Sequence, residues 1–121
     1  MMLSVQCETW LPAALDAELI ADDEVLPAFV TRIGEHGMAL DSLAILGNRR
    51  GNRLQVRLEL PGEPDPLWIA SEVVRDVQGL LFNELAIRFV EMASIHWRWL
   101  RRWIRVRELA LRARRVGLHA A

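Results

Sequence analysis

The stretch that decides the fold is NRLQVRLEL, residues 52–60. Its apolar side chains, which alternate with polar ones, are Leu54, Val56, Leu58 and Leu60. A period of two is typical of a β-strand with one face in the core and the other in water. The next six residues, PGEPDP at 61–66, form a turn that no strand or helix can cross. The pattern predicts a strand followed by a tight reversal.

Five more segments are predicted as short strands because they alternate or are rich in β-branched residues. They lie at residues 15–20, 25–33, 38–41, 67–75 and 81–90. Pro27, inside the second of these, has no backbone donor and so indicates an edge or a bulge there. Six short strands joined by Gly- and Pro-containing turns favour a mainly-β fold, a small six-stranded antiparallel barrel at about residues 14–90.

The remainder of the chain predicts one long C-terminal α-helix at about residues 94–116. Ser94 is a good N-cap, Gly117 is a good C′ residue, and no helix breaker stands between them. Two neighbouring apolar seams run along this helix. One passes through Met92, His96, Trp99, Trp103, Val106, Ala110 and Ala113, and the other through Trp97, Leu100, Ile104 and Leu111. The first turns are expected to pack on the barrel and the distal turns to meet another protomer.

Large aromatic side chains at helical spacing are the anchors expected at such a contact. The predicted interface residues are Trp97, Trp99, Trp103, Val106 and Ala110. The small side chain of Ala110 allows two helices to approach closely. The sequence therefore predicts a homo-oligomer that forms through the C-terminal helix.

The charge of the chain is divided between its two ends. Residues 1–91 carry seven arginines against fifteen acids, a net charge of −8, whereas residues 92–121 carry eight arginines against one acid, a net charge of +7. Residues 1–31 contain six acids and no base. Because an anionic ligand needs cations, this first part of the chain cannot supply them from its side chains.

The 121 residues predict a single domain over 1–121. The sequence also indicates which classes of function are not expected. No serine stands in a nucleophile elbow and no phosphate-binding glycine loop is present, so an enzyme is not predicted. One cysteine makes neither an internal disulfide nor a zinc cluster, and no metal site is expected. Without an apolar run of membrane-spanning length or a basic leader, the expected location is the cytoplasm.

Two short motifs followed by a helix carry a resemblance to a known family. Residues 72–75 read Glu-Val-Val-Arg and residues 85–90 read Leu-Ala-Ile-Arg-Phe-Val. In order and spacing they resemble two characteristic strands of the PilZ domain. Residues 33–40, Ile-Gly-Glu-His-Gly-Met-Ala-Leu, resemble the strand–turn–strand that holds the family's ligand loop. The resemblance spans about residues 14–108 and implies a six-stranded barrel with which bacteria read or relay the second messenger cyclic di-GMP.

At the implied ligand site the sequence departs from the family. The loop Asp/Asn-x-Ser-x-x-Gly falls on the segment with Arg32, Gly34, Glu35, His36 and Gly37, and only its last glycine is kept. The two arginines that precede the family's first strand are missing, because no arginine comes before Arg32. Losing two charged hydrogen bonds costs about 3–6 kcal/mol, or about 10²–10⁴ in affinity. The usual mode of cyclic di-GMP binding is therefore expected to be lost, and no cofactor is predicted.

The leading hypothesis is a divergent PilZ domain that acts as a protein-interaction adaptor in cyclic di-GMP-linked regulation. By resemblance, its partner is a protein of bacterial signalling or of the pilus machinery, and its outputs are motility, type IV pili or virulence.

Two alternatives remain open. A noncanonical cyclic di-GMP receptor would use Arg49, Arg50 and Arg53, which stand together in the connection before the fourth strand. A peripheral membrane or nucleic-acid binder would use the arginine-rich helix with its interleaved tryptophans. A sequence pI of about 6.3 weighs against nucleic acid as a partner.

Overall fold

The structure, a computed structural model, describes residues 10–22, 24–43 and 49–115. Six strands and one helix follow in chain order: β1 (Leu11–Ala21), β2 (Glu24–Ile33), β3 (Gly37–Leu43), β4 (Arg53–Leu58), β5 (Leu67–Val77), β6 (Phe82–Met92) and α1 (Ser94–Arg115). All neighbouring strands are antiparallel, and they close into a barrel in the order β1-β2-β3-β6-β5-β4. The predicted fold class, a six-stranded antiparallel barrel with a C-terminal helix, is confirmed.

Several strands are longer than their own alternation indicates, whereas β4 ends at Leu58 rather than at the predicted residue 60. β1 begins at Leu11 rather than at residue 15, and β5 continues to Val77 rather than ending at residue 75. Register shifts between Pro12 and Leu15 and between Val73 and Arg75 interrupt the alternation at these two places. Pairing nevertheless continues beyond each shift, because a neighbouring strand supplies partners. The predicted C′ residue Gly117 lies outside the described residues.

Pro27 stands where β2 has a partner on one side. It lies opposite Glu18 of β1, whereas the ladder between β2 and β3 begins one residue later, at Ala28 and Ser42. The register shift in β2 falls further on, between Val30 and Arg32. The missing backbone donor of the proline is thus accommodated at the end of a ladder, and the bulge lies elsewhere in the strand.

The core is formed by the inward side of every strand. The alternating leucines and valine of β4 are buried, as their period predicts. Leu100 and Ile104 of α1 belong to the same buried cluster as these strand residues. The helix therefore packs on the barrel with its first turns and completes the core.

Polar contacts attach the helix to the loop and strand beside it. The backbone N–H of Trp68 donates to His96 Nδ1 at 3.2 Å. Arg102 Nη2 donates to Glu63 Oε2 at 2.6 Å, and the Glu63 side chain is largely buried. The turn that follows β4 is thereby connected to the middle of α1.

Candidate functional site

The turn between β2 and β3 is the segment where the family's ligand loop was predicted. The Gly34 N–H donates to the Gly37 carbonyl at 2.9 Å, and the Phe89 N–H donates to the His36 carbonyl at 2.8 Å. Glu35 and His36 are exposed at the tip. These backbone bonds close the turn and attach it to β6.

Gly37 has a packing role that is independent of any ligand. A Cβ at this position would lie well inside van der Waals contact with the carbonyl oxygen of Ile87. Because β3 and β6 approach so closely here, only glycine fits without a backbone shift. The one loop residue that agrees with the family's motif is therefore explained by strand packing.

Arg32 is the cation nearest to this turn along the chain. Its side chain is exposed on the outer side of β2, and its guanidinium carbon lies 5.9 Å from the centre of the Trp10 ring. Such a contact is a cation–π interaction. The position where the family carries Asp or Asn thus holds a cation that stacks on an indole.

Arg49 belongs to the second predicted group, and its environment is structural. The residue is 8% exposed. Its Nη2 donates to Glu24 Oε1 at 3.3 Å, and its backbone N–H donates to Asp76 Oδ2 at 2.6 Å. The guanidinium therefore connects the segment before β4 to the start of β2, and a ligand would have to compete with Glu24 for it. Its predicted role in nucleotide binding stays a prediction.

The strand register connects the two predicted groups only by a path that follows half of the closed barrel. Arg53 of β4 lies opposite Glu72 of β5, Glu72 opposite Arg88 of β6, and Arg88 opposite Gly37 of β3. Three strand spacings are half the circumference of a six-stranded barrel, so Arg53 and the turn lie on opposite sides of it. Arg88 Nη2 donates to Glu72 Oε1 at 2.5 Å. We call Arg53, Glu72 and Arg88 the arginine row.

The alternation of apolar and polar residues in β6 indicates that Arg88 faces outward, but the sequence did not connect Arg88 with the candidate site. The missing information was the register, which depends on pairing between strands that are distant in sequence. Arg75 lies opposite Ala86, two residues before Arg88 on β6. The register therefore places Arg75 on the same side of the barrel as Arg88.

The predicted interface residues on α1 divide into two groups. Trp97, Trp99 and Trp103 are partly buried and pack against the barrel core. Arg101 lies over Trp97 at 5.2 Å and Arg107 over Trp103 at 5.9 Å. These contacts within one chain account for much of the tryptophan surface.

Val106 and Ala110 form the second group. Val106 is 61% exposed and Ala110 is also exposed, so both are available to a partner. Their predicted role in an interface stays a prediction.

A depression between β1, β2 and β4 is one candidate pocket, with a volume of about 220 Å³. Its charged lining is Asp16, Glu18, Glu59 and Arg57. Arg57 pairs with both glutamates, Glu59 at 3.0 Å and Glu18 at 3.7 Å. Because acids outnumber the one base, this pocket does not favour an anionic ligand.

Within the described ranges, no cluster of His, Cys, Asp and Glu has the arrangement of a metal site. No helix of the same part of the chain is long and apolar enough to cross a membrane.

The chain is similar to a known protein family in sequence and to solved structures in fold. A family model described as the PilZ domain matches residues 7–105. No curated protein matches the sequence. Similar solved structures include the Bacillus subtilis inhibitor of motility MotI/DgrA, with a TM-score of 0.73 and 19% identity, over 85% of this chain and 50% of that chain.

Two further similar structures come from Escherichia coli. YcgR in complex with c-di-GMP has a TM-score of 0.70 and 17% identity, over 92% of this chain and 49% of that chain. The PilZ domain of YcgR with c-di-GMP has a TM-score of 0.67 and 16% identity, over 91% and 96%. The chain spans about half the length of MotI and of complete YcgR. At these identities the likeness is one of fold.

Proposed function

The chain belongs to the PilZ domain family, as its strand motifs predict, and from this premise we propose that it is a non-enzymatic protein-interaction adaptor in cyclic di-GMP-linked regulation. Motility, type IV pili or virulence are the proposed outputs, a signalling or pilus protein is the proposed partner, and the cytoplasm is the proposed location. No cofactor is part of this proposal.

The composition of the ligand loop carries the proposal. Along the turn from Arg32 to Gly37 the only cation is Arg32, which stacks on Trp10, and Glu35 projects a carboxylate from the tip. The strand beside it, β1, contributes Asp16 and Glu18 but no base. A ligand with two phosphates is repelled by such an arrangement, and its binding energy depends on cations.

Isothermal titration with cyclic di-GMP tests this proposal. We expect no saturable heat at micromolar ligand, since the paired arginine anchors are missing. As a positive control, the isolated PilZ domain of YcgR, which has been solved with c-di-GMP, is titrated under the same conditions. Saturation by this chain at micromolar ligand contradicts nucleotide-independent action.

An experiment in cells separates protein contact from nucleotide contact. A deletion strain is complemented with Arg32→Ala plus Arg53→Ala, or with Val106→Glu plus Leu109→Glu on the exposed side of α1. The adaptor proposal expects the first variant to restore motility or pilus function and the second to fail at equal protein level. The opposite pattern would favour a nucleotide receptor.

A noncanonical cyclic di-GMP receptor is the second candidate. It is favoured by the arginine row, with Arg75 beside it, and by the exposed Arg50 at the turn before β4. Arg49→Ala is an ambiguous test, because it also removes the ion pair with Glu24. The sharper variant is Arg53→Ala, because the Arg53 side chain is exposed. If the wild type binds the nucleotide, this variant is expected to weaken binding without loss of folding.

Self-association through α1 completes the proposal. Leu109 and Val106 are both more than half exposed on a helix whose opposite side is buried in the core. We expect a mass above that of the monomer in light scattering, and a shift towards the monomer for Val106→Glu plus Leu109→Glu. Trp103 is a poorer target, because it also packs on its own barrel.

A further inference from the structure

A row of acidic and aromatic side chains crosses the outer side of the barrel. The register places Asp16 of β1 opposite Phe29 of β2, Phe29 opposite Asp41 of β3, and Asp41 opposite Glu84 of β6. Phe29 is 43% exposed. Two carboxylates thus flank an aromatic ring that is open to solvent, and the carboxylate of Glu84 lies one strand further on.

The next outward-facing pair along β3 and β6, two residues beyond Asp41 and Glu84, is apolar. Leu43 of β3 lies opposite Phe82 of β6, and both side chains are exposed, Phe82 by 53%. Leu80 and Leu81 are exposed in the adjoining connection between β5 and β6. A cluster of exposed apolar side chains is a candidate contact site. We call Asp16, Phe29, Asp41, Leu43, Phe82 and Glu84 the acidic face.

The acidic face contains an unfavourable pair. Asp41 and Glu84 stand directly opposite each other on adjacent strands. Like charges in this position destabilise a sheet. Among the described residues, no arginine forms an ion pair with either carboxylate. A partner that brings cations would relieve this repulsion.

The exposed side of α1 has the complementary composition. At 100° per residue, Ile95, Val106 and Leu109 face away from the buried Leu100 and Ile104, and all three are exposed. Three exposed arginines, Arg98, Arg105 and Arg112, run along this apolar strip. We call these six residues, Ile95, Arg98, Arg105, Val106, Leu109 and Arg112, the helix stripe.

A symmetric contact between two helix stripes is electrostatically poor. Residues 92–121 contain eight arginines and one acid, so two such helices side by side would bring arginines together. The acidic face offers the opposite charge with a similar apolar content. A helix of 22 residues is about 33 Å long, and the neighbouring strands β2, β3 and β6, which carry Phe29, Asp41 and Glu84, span about 10 Å, so the helix can lie across these strands.

We infer that the helix stripe of one copy docks on the acidic face of a second copy. The inference rests on the self-association proposed above and adds the surface that receives the helix. The two contacting surfaces are different, so the contact is heterologous, and it either closes into a ring or continues as a chain of copies. Arginines then pair with Asp41 and Glu84, and Val106 and Leu109 cover Phe29 and Phe82.

Two charge-reversed variants test this arrangement in sedimentation velocity at low ionic strength. The face variant is Asp41→Arg plus Glu84→Arg, and the helix variant is Arg98→Glu plus Arg105→Glu. Each variant alone keeps one working surface and is expected to be a monomer of 13.8 kDa. When they are mixed, the intact helix stripe of one meets the intact acidic face of the other. The two reversed surfaces are also opposite in charge, so we expect the mixture to recover association as in the wild type.

Matched variants control for the change in charge itself. Glu91→Arg alters an exposed acid of β6 outside the acidic face, and Arg114→Glu alters an exposed arginine outside the helix stripe. Both are expected to associate as the wild type does. Circular dichroism and thermal melting establish that every variant is folded before its mass is interpreted.

The outcomes separate the inference from the proposals above. A face variant that still associates shows that helices pair with one another, which overturns the inference and keeps helix-mediated association. A wild type that stays monomeric at its highest soluble concentration overturns both. If the mixed variants form no complex and the protein binds phosphatidylglycerol vesicles through its helix, the helix stripe is a membrane-binding surface. That result also overturns the inference. None of these results affects the nucleotide titration.

Discussion

At the scale of single residues, the contact between Gly37 and the Ile87 carbonyl explains why β3 can lie so close to β6. Gly37→Ala is expected to lower the free energy of unfolding by about 1–3 kcal/mol, because the added methyl group must push one backbone away from the other. Urea denaturation measures the change. Glu35→Ala in the same turn is the control, with an expected change within about 0.5 kcal/mol since its side chain is exposed. Equal effects of the two substitutions would contradict this role of Gly37.

Arg49 and Glu24 provide the second prediction at this scale. The glutamate side chain is 53% exposed, so solvent screens the pair and limits its contribution to about 1 kcal/mol. A double-mutant cycle with Arg49→Ala and Glu24→Ala measures the coupling free energy. Strictly additive effects on unfolding would mean that Arg49 stabilises the barrel through packing of its stem alone. In either case, loss of ligand binding in Arg49→Ala is not proof of a direct contact.

At the scale of elements, α1 combines a buried side and an exposed side in one helix. Leu100→Ala is expected to cost about 2–5 kcal/mol, because Leu100 is fully buried in the barrel core. Leu109→Ala is the same substitution on the exposed side of α1. The change in intrinsic helix propensity is therefore the same in both variants. Leu109→Ala is expected to change stability by less than about 0.5 kcal/mol at a concentration where the protein is monomeric. Chemical denaturation of both variants gives the comparison, and similar losses would contradict the orientation of the helix.

The strands show which parts of the fold local sequence can predict. Strict alternation in residues 52–60 predicted β4, and the capping residue Ser94 predicted the start of α1. The ends of β1 and β5 were missed because register shifts interrupt their alternation. A strand next to a shift continues only because its neighbour offers partners, and that neighbour is not visible in the local pattern.

The residues of the candidate site were harder to predict from local sequence than the strands were. The residues of the turn from Arg32 to Gly37 were predicted as one group because they are adjacent in sequence. The arginine row and the acidic face were not, since each collects residues from three or four strands through their register. The predicted interface tryptophans pack largely on their own barrel, because two neighbouring apolar seams identify a buried side without identifying which surface covers it.

At the scale of the whole molecule, folding depends on pairing between distant strands. β3 pairs with β6 and β1 pairs with β4, so the barrel closes through two ladders of large sequence separation, whereas its other ladders join consecutive strands. Proteins of this kind refold in about milliseconds to seconds rather than microseconds. Stopped-flow dilution from urea, followed by tryptophan fluorescence, measures the rate. A refolding time in microseconds would contradict the expectation that these distant pairings limit the rate of folding.

The pairing of β3 with β6 also has a consequence during protein synthesis. Gly37 meets Arg88, and Leu43 meets Phe82, so β3 leaves the ribosome some 40 to 50 residues before its partner strand. At about 5–20 residues per second, that delay is roughly 2–10 s. For this interval the apolar side chains of Met38 and Leu40 have no strand beside them on that edge. The nascent chain therefore passes through a period in which a chaperone has an exposed, hydrophobic strand to protect.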